Sequence, residues 1–289
     1  MNILIAINSN YLIPAKVMLT SLFENNKEEE INVYLLHSSL SEKEIYILRK
    51  NIEENYTGKL NDIFVDKQNF EGLPISHHFT IETYYRFLAQ SILPDNVERI
   101  LWLDADMIIK KSLKEFYYQD FDENYVVVCE SINKNPKELL RKLELPENSK
   151  YFNAGTILFN LKKIRKELKP CDYFEYIEKN REKITWLDQD VLNVLYNKKC
   201  KYNNYKIYNM QLFSDEYVDS KKIEDIDRAA ILHYIGSVKP WDFKYMNYYD
   251  KYYWHYYKLS EGIGDIVRNR ILKYAYRSIK KSKIFFFKE

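Results

Sequence analysis

Six strand-length apolar runs recur between Asn2 and Leu161: NILIAI, INVYLLH, DIFVD, RILWLDADMII, YVVVCES and AGTILFNL. A strand with one wet face alternates polar and apolar residues, whereas strands buried on both faces read as continuous apolar runs. Between the runs lie segments with helical spacing, at Ala15 to Phe23, Ser41 to Ile52 and Ile81 to Leu93. Strands apolar throughout that alternate with helices predict an α/β chain with a Rossmann-like, mainly parallel sheet flanked by helices. At 289 residues the chain is long enough to bury such a core. From about Lys162 the helical segments lengthen, and a late strand, AAILHYIG, follows a Tyr/Asn-rich stretch. The expected division is an α/β domain over 1–243 and a helical C-terminal appendage over 244–289.

Several function classes are excluded at this level. With only 6 glycines there is no G-x-G-x-x-G and no G-x-x-x-x-G-K-[ST], so neither a dinucleotide fingerprint nor a P-loop is present. Cys129, Cys171 and Cys200 form no C-x-x-C pair and cannot all pair internally, which fits a reducing compartment. The opening MNILIAINSNY has no basic leader, and no apolar run reaches membrane-spanning length. The expected location is therefore the cytoplasm.

The sharpest exception to the apolar pattern is ILWLDADMIIK, residues 100–110. Strand residues i and i+2 face one side, so Asp104 and Asp106 can aim at one point beyond the strand's carboxyl end. Ionised carboxylates in apolar surroundings need a compensating cation or donor. A capped turn would satisfy them; so would Mg²⁺ or Mn²⁺, which also takes phosphate oxygens. A strand as apolar as ILWL delivering two acids to its end favours the metal.

Three further stretches carry chemistry. NSNY, residues 8–11, lies where the first strand ends, the edge at which open α/β sheets bind ligands. In HYIGSVKPW, residues 233–241, His233 ends an apolar strand, Gly236 permits close backbone approach, and Lys239 supplies a cation suited to a diphosphate. Taken singly, a packed histidine and a solvated lysine are the simpler accounts. In YFNAGTILFN and WLDQDVLNVLY, Asn153 heads a strand, and Asp188 and Gln189 open a helix whose buried face is Val191, Leu192 and Leu195. Asp188 is then either a helix N-cap or, with Asn153 and Gln189, a partner for sugar hydroxyls.

Together A-x-N-x-N-Y (Ala6 to Tyr11), T-x-x-R (Thr83 to Arg86), LDAD, FNAG, DQD and H-Y-x-G-x-x-K-P-W resemble glycosyltransferase family 8. This family of retaining enzymes includes bacterial lipooligosaccharide galactosyltransferases and glycogenin. The likeness runs from residue 1 to about Trp241, and the bacterial galactosyltransferase branch looks nearest. The resemblance implies a GT-A fold, a UDP-hexose donor, a glycan or glycolipid acceptor, and Mn²⁺, with Mg²⁺ as the alternative ion. It makes Asp104, Asp106 and His233 the metal ligands, and Tyr11 a stacking partner for uracil. Ala6, Asn8 and Asn10 would line the nucleoside pocket, and Gly236 and Lys239 would hold the diphosphate. Arg86, Ala105, Asn153, Ala154, Asp188 and Gln189 would contact the rest of the donor, with Gln189 and Asp188 nearest the reacting carbon. The chain departs from the family at Asn8, where an Asp is usual, and at Ser9, where another acid is frequent. An Asn amide can still accept from uracil N3–H and donate to O4. The implied activity is Mn²⁺-dependent retaining transfer of galactose or glucose from a UDP-sugar in bacterial cell-surface glycan synthesis. A self-glucosylating protein like glycogenin and a non-catalytic sugar-nucleotide-binding protein are the alternatives. Glu130, just past YVVVC, is a candidate acceptor contact or a surface acid.

The C-terminal region has its own character. Residues 241–258 hold ten aromatic residues, and Tyr245, Tyr248, Tyr249, Tyr252, Tyr253 and Tyr256 follow helical spacing, which predicts a packed helix face. Arg268 to Glu289 carries eight Lys/Arg against one acid, with Ile271, Leu272, Ala275 and Ile279 on one face and Phe285, Phe286 and Phe287 after it. A basic amphipathic helix of this kind fits an anionic membrane surface on the inner face of the cytoplasmic membrane, the favoured reading; a solvated or oligomer-packing tail is the plainer alternative, and nucleic acid is not expected.

Overall fold

A computed structural model of the chain describes residues 1–74, 81–132, 135–214, 216 and 219–286, the last ten (277–286) by their helical backbone alone. The sheet begins with β1 (Asn2–Ala6), which leads through helix α1 (Leu12–Glu24) to β2 (Ile31–His37), and then through α2 (Glu42–Asn55) to β3 (Gly58–Phe64). All three strands run parallel, with Ile5 opposite Leu35 and Leu35 opposite Asp62. The chain then returns to the other side of β1 as β4 (Arg99–Leu103), again parallel, with Ile3 opposite Leu101. After β5 (Met107–Ile109), strands β6 (Val126–Glu130), β7 (Phe152–Asn160) and β8 (Cys200–Asn203) complete a seven-stranded sheet of order β3-β2-β1-β4-β7-β6-β8. Its pairings are parallel except β4–β7 and β6–β7. A second sheet of order β5-β10-β9 is built from β5, β9 (Met210–Leu212) and β10 (Ile231–Tyr234).

The apolar pattern is explained by what covers each face. Ile3 and Ile5 of β1 and Leu101 and Leu103 of β4 join a core with α1 and α2, while Leu4, Ile100 and Trp102 join a separate core on the opposite face. β3 is an edge strand with alternating exposure, so the DIFVD run is wet on one side. Two expectations need correction. Ile81 to Leu93 is a 3₁₀ segment over Ile81–Leu88 followed by one α-turn, Ala89–Ile92. RILWLDADMII is two strands broken by a turn at Asp104 to Asp106, because β5 leaves the main sheet to pair with β10.

That turn lies at the point where strand order reverses, between β1 and β4, the usual ligand crevice of an open α/β sheet. Its approach is anchored by Arg165, on helix α3 (Leu161–Glu167) directly after β7. The Arg165 guanidinium donates to the carbonyls of Gln90, Leu93, Pro94, Asp95 and Val97 at 2.8 to 3.1 Å, fastening the segment that enters β4.

At the C-terminus, α4 (Asp250–Glu261) lies against α1, and Tyr256 and Lys16 tie the two through Asn25 Nδ2 at 2.7 Å and Glu261 at 2.7 Å. Tyr245, Tyr249, Tyr253, Tyr256 and Tyr257 are buried against Val17, Ile108 and Met210, as a packed face requires, whereas Tyr248 is 41% exposed. The helix begins only at Asp250, so the first tyrosines reach that core from a turn. The final helix, α5 (Gly264–Phe286), is fixed by Asn269 Nδ2 donating to Trp241 O at 2.8 Å and by Lys273 on Asp250. No helix among the described residues is long and apolar enough to cross a membrane.

Replacing Arg165 by Ala should lower unfolding free energy by roughly 2–3 kcal/mol in urea titrations, because five carbonyls lose a charged donor at once. Arg165→Lys should restore little of it, since one ammonium cannot span the fork. A Lys variant as stable as the wild type would contradict this role.

Candidate functional site

Asp104 and Asp106 are brought to His233 by register. Asp104 N–H donates to Gly155 O at 3.0 Å, continuing the β4–β7 ladder one residue past β4. β5 then runs antiparallel to β10 with Met107 opposite His233, and Tyr234 N–H donates to Asp106 O at 3.0 Å. One ligand atom from each of Asp104, Asp106 and His233 lies within 4.8 Å of the others. His233 Nε2 stands 3.3 Å from Asp106 Oδ1 and 3.8 Å from Asp104 Oδ2.

Each carboxylate has one oxygen held and one left over. Asp104 Oδ1 accepts from Trp102 Nε1 at 2.7 Å and from Arg86 Nη2 at 3.1 Å. Asp106 Oδ2 accepts from Lys239 Nζ at 2.5 Å, and Lys239 also donates to Tyr234 O. Asp106 Oδ1 is buried without a hydrogen-bond partner. Burial alone would push the Asp106 carboxyl up; Lys239, and then His233 while its ring is protonated, outweigh it and hold the group well below the ordinary carboxylate range. Gly155 closes the third side: a Cβ there would stand 2.4 Å from His233 Cε1 and 2.9 Å from Asp104 Oδ2. Two carboxylates and an imidazole, converging around an orphaned oxygen, fit a divalent cation of the Mg²⁺ or Mn²⁺ kind.

A cavity of about 500 Å³ opens above this set, within the range of small-molecule sites. Its lining carries Glu82, Asp104, Asp106 and Asp188 against Arg86 and Lys239, a formal excess of two negative charges. Ala6, Asn8 and Tyr11 line it from the end of β1, and Ala105, Gly236 and Lys239 from the ion side. Gly236 sits at φ +87, a left-handed turn that suits glycine. Arg86, Asn153, Ala154, Asp188 and Gln189 form a further wall. Asn10 does not line the cavity; its N–H donates to Asn8 Oδ1 at 3.1 Å. Glu130 is also outside the lining, exposed and 3.9 Å from Lys150.

Arg86 organises that wall from a buried position. Its guanidinium lies over the Trp102 ring, 4.2 Å from the centroid, and donates to Ala154 O. It also stands 3.0 Å from Asp188 Oδ2, but its Nε–H points to Thr83 O, so Asp188 Oδ2 has no hydrogen bond. Burial pushes the Asp188 carboxyl up to about 7, against the pull of Arg86. Asp188 does not cap its helix: the Leu187–Leu195 helix starts after Trp186, with Leu187 at φ +46, and Asp190 takes the Thr185 and Trp186 N–H groups. Val191 and Leu192 are buried as expected, and Leu195 is half-buried.

Sequence reasoning missed Trp102, Glu82, Tyr151, Asp190 and Asn209. Trp102 reads as one more apolar strand residue, although its N–H holds Asp104. Glu82 is buried and accepts from Asn8 Nδ2 at 3.3 Å, which places an acid beside Asn8. The second acid of D-Q-D was visible; what it binds was not.

The glycosyl transferase family 8 description matches residues 2–244. The chain is 27% identical over 248 residues to a lipopolysaccharide 1,2-glucosyltransferase of Escherichia coli, spanning 83% of this chain and 73% of that protein. It is 27% identical over 246 residues to a lipopolysaccharide 1,3-galactosyltransferase of Salmonella typhimurium, spanning 83% and 72%. A solved structure of the galactosyltransferase LgtC in complex with donor and acceptor sugar analogs superposes with a TM-score of 0.79 at 23% identity, over 93% of this chain and 99% of that one. That likeness is one of fold, the GT-A architecture expected above.

Gly155→Ala should displace the His233 ring and weaken binding of an added divalent cation by at least about 10-fold in calorimetric titration, with a smaller loss of stability. Unchanged affinity in a folded Ala variant would mean that the three side chains do not need this close approach.

Proposed function

The chain belongs to glycosyl transferase family 8, and from that membership we propose that it is a Mn²⁺-dependent retaining hexosyltransferase. The donor is UDP-galactose or UDP-glucose, and the acceptor a glycan or glycolipid of the bacterial cell surface. The observation that carries the reading is the convergence of Asp104, Asp106 and His233 under Gly155, at the floor of a cavity large enough for a nucleotide sugar. These three side chains would hold the ion, which when bound would offset negative charge on the departing diphosphate.

The remaining roles follow from what each side chain has free. Tyr11 offers its ring at the nucleoside end, edge-on to Trp241 at 5.9 Å. Asn8, held by Glu82, keeps one amide hydrogen and one lone pair for a base. Lys239 and the Gly236 turn flank the carboxylates, where a leaving diphosphate needs preorganised positive charge and backbone donors. Asp188, with an unpaired oxygen beside Arg86, suits a sugar hydroxyl.

Retention can arise through a covalent intermediate or through front-face attack within an ion pair. Gln189 Oε1 already accepts Ala154 N–H at 2.9 Å and Asn153 Nδ2 at 3.0 Å, and Gln189 Nε2 donates to Tyr151 Oη at 3.1 Å. A doubly engaged amide oxygen is a poor nucleophile. Front-face attack is therefore the better reading, with Gln189 holding the wall in place. The test is a thermal-shift screen of UDP-hexoses followed by transfer assays. A true donor with Mn²⁺, at about 100 times its Kd, should raise Tm by roughly 5–10 °C. Asp106→Asn should lose the Mn²⁺-dependent part of that shift and cut hexose transfer by about 100-fold or more. Wild-type transfer by that variant without added metal would defeat the assignment.

We also propose that the C-terminal helix docks on an anionic membrane surface. On and just before α5, Ile263, Val267, Ile271 and Tyr274 are 54–76% exposed at helical spacing, and Arg268 and Arg270 accompany them. Leu272 is also exposed, while Ile279 and the Phe285 to Phe287 side chains lie outside the described residues. Replacing Val267, Ile271 and Tyr274 together by Ser should release the protein from phosphatidylglycerol vesicles in co-sedimentation and spare transfer to a soluble acceptor. Undiminished vesicle binding would count against the surface.

A further inference from the structure

Behind the candidate ligands runs a series of side-chain hydrogen bonds whose direction can be read from the backbone. An Asn or Gln amide, or a neutral imidazole, can face either way, and only a partner of known polarity decides which atom donates. A backbone N–H is such a partner, because it only donates. Asn153 Oδ1 accepts Gly155 N–H at 3.1 Å and is therefore the carbonyl oxygen. Asn209, facing it, must present Nδ2, at 2.8 Å. The Asn209 Oδ1 then turns to His233 Nδ1, at 2.9 Å. An acceptor in that place requires the proton on Nδ1. Nε2 is left with its lone pair, directed at the two carboxylates.

The other end of the series is pinned in the same way. Ala154 N–H fixes Gln189 Oε1 as an acceptor, so Gln189 Nε2 donates to Tyr151, whose hydroxyl donates to Asp190 Oδ1 at 2.6 Å. Asp190 Oδ2 takes two backbone N–H groups, of Thr185 and Trp186. All the bonds from His233 to Asp190 are thus mutually consistent, and none leaves a choice for the ring.

We propose that Asn209 is a positioning residue that sets the tautomer of His233 and so presents an unprotonated Nε2 to the ion. Asn209 is fully buried and does not line the cavity, so it acts through the ring. The inference rests on His233 being a ligand. Its content concerns the ring alone. In water a neutral histidine favours the Nε2–H form, which would point a proton at Asp106 and occupy the lone pair a metal needs. With the proton on Nδ1, Nε2 and the orphaned Asp106 Oδ1 are two lone-pair-bearing atoms 3.3 Å apart. That contact is repulsive until a cation lies between them. Asn209 thereby ties the wall of Asn153 and Gln189 to the ion site through one amide, the role that outer hydrogen bonds play for metal-bound imidazoles.

The experiment is ¹⁵N NMR of histidine-labelled, metal-free protein, with the pH raised until the His233 resonances stop moving and His233→Gln used for assignment. The proposal expects the neutral wild-type ring to show a protonated Nδ1 and a bare Nε2. Asn209→Ala should shift the proton to Nε2 and weaken Mn²⁺ binding by about 10- to 100-fold, measured directly by calorimetry. Asn209→Asp, which still accepts from Nδ1–H, should keep the wild-type tautomer. A wild-type ring protonated on Nε2 would overturn the proposal, whether or not the variants fold. So would a folded Ala variant with the wild-type tautomer and affinity. A wild type that shows Nδ1–H but binds no Mn²⁺ would support the relay and sink the ligand assignment, so the two failures are distinguishable.

Discussion

The structure depends on the mutual repulsion of Asp104 and Asp106 being answered at one spot. Both acids are placed by apolar strands that have no alternative path: β4 is buried on both faces, and β5 is wholly buried in the second sheet. Carboxylates delivered to such a place are destabilising unless cations or donors meet them. The protein provides Trp102 and Arg86 for one and Lys239 for the other, and leaves an oxygen of Asp106 unanswered. The surrounding features follow from that arrangement. Gly155 has to be small, His233 has to come from a different sheet, and Arg86 has to be buried where it can serve Asp104 and Asp188 together.

The fold converts this into a site through topology. β1 and β4 are neighbours whose connections leave in opposite directions, and the crevice between them is lined by Asn8 and Tyr11 on one side and by the carboxylates on the other. The small second sheet has a separate task. By pairing β5 with β10 it carries the HYIGSVKPW segment to the acids, so that His233, the Gly236 turn and Lys239 arrive together. The candidate site of this family member thus lies at the junction of two sheets, with the C-terminal tyrosines packed behind the second of them.

Much of this was legible in the residues. Continuous apolar runs announced a doubly covered sheet, and β1, with Ile3 and Ile5 in one core and Leu4 in the other, shows why that pattern arises. The acids, His233, Lys239, Asn153, Asp188 and Gln189 were named from motifs, and all of them line one cavity. The break at Asp104 to Asp106 was hidden, because apolar residues on both sides read as one strand. It depends on the β5–β10 pairing between segments remote in sequence. Asn209 carried no signal at all: a single Asn in a Tyr/Asn-rich stretch gains its meaning from a register that places it between Asn153 and His233.

The central claim is that a divalent cation occupies the space among Asp104, Asp106 and His233 when donor is bound. Anomalous diffraction from crystals grown with Mn²⁺ and UDP tests it most directly. The account predicts one strong peak within coordination distance of an oxygen from each aspartate and of His233 Nε2. UDP seated in the cavity with no anomalous peak among those three side chains would contradict it.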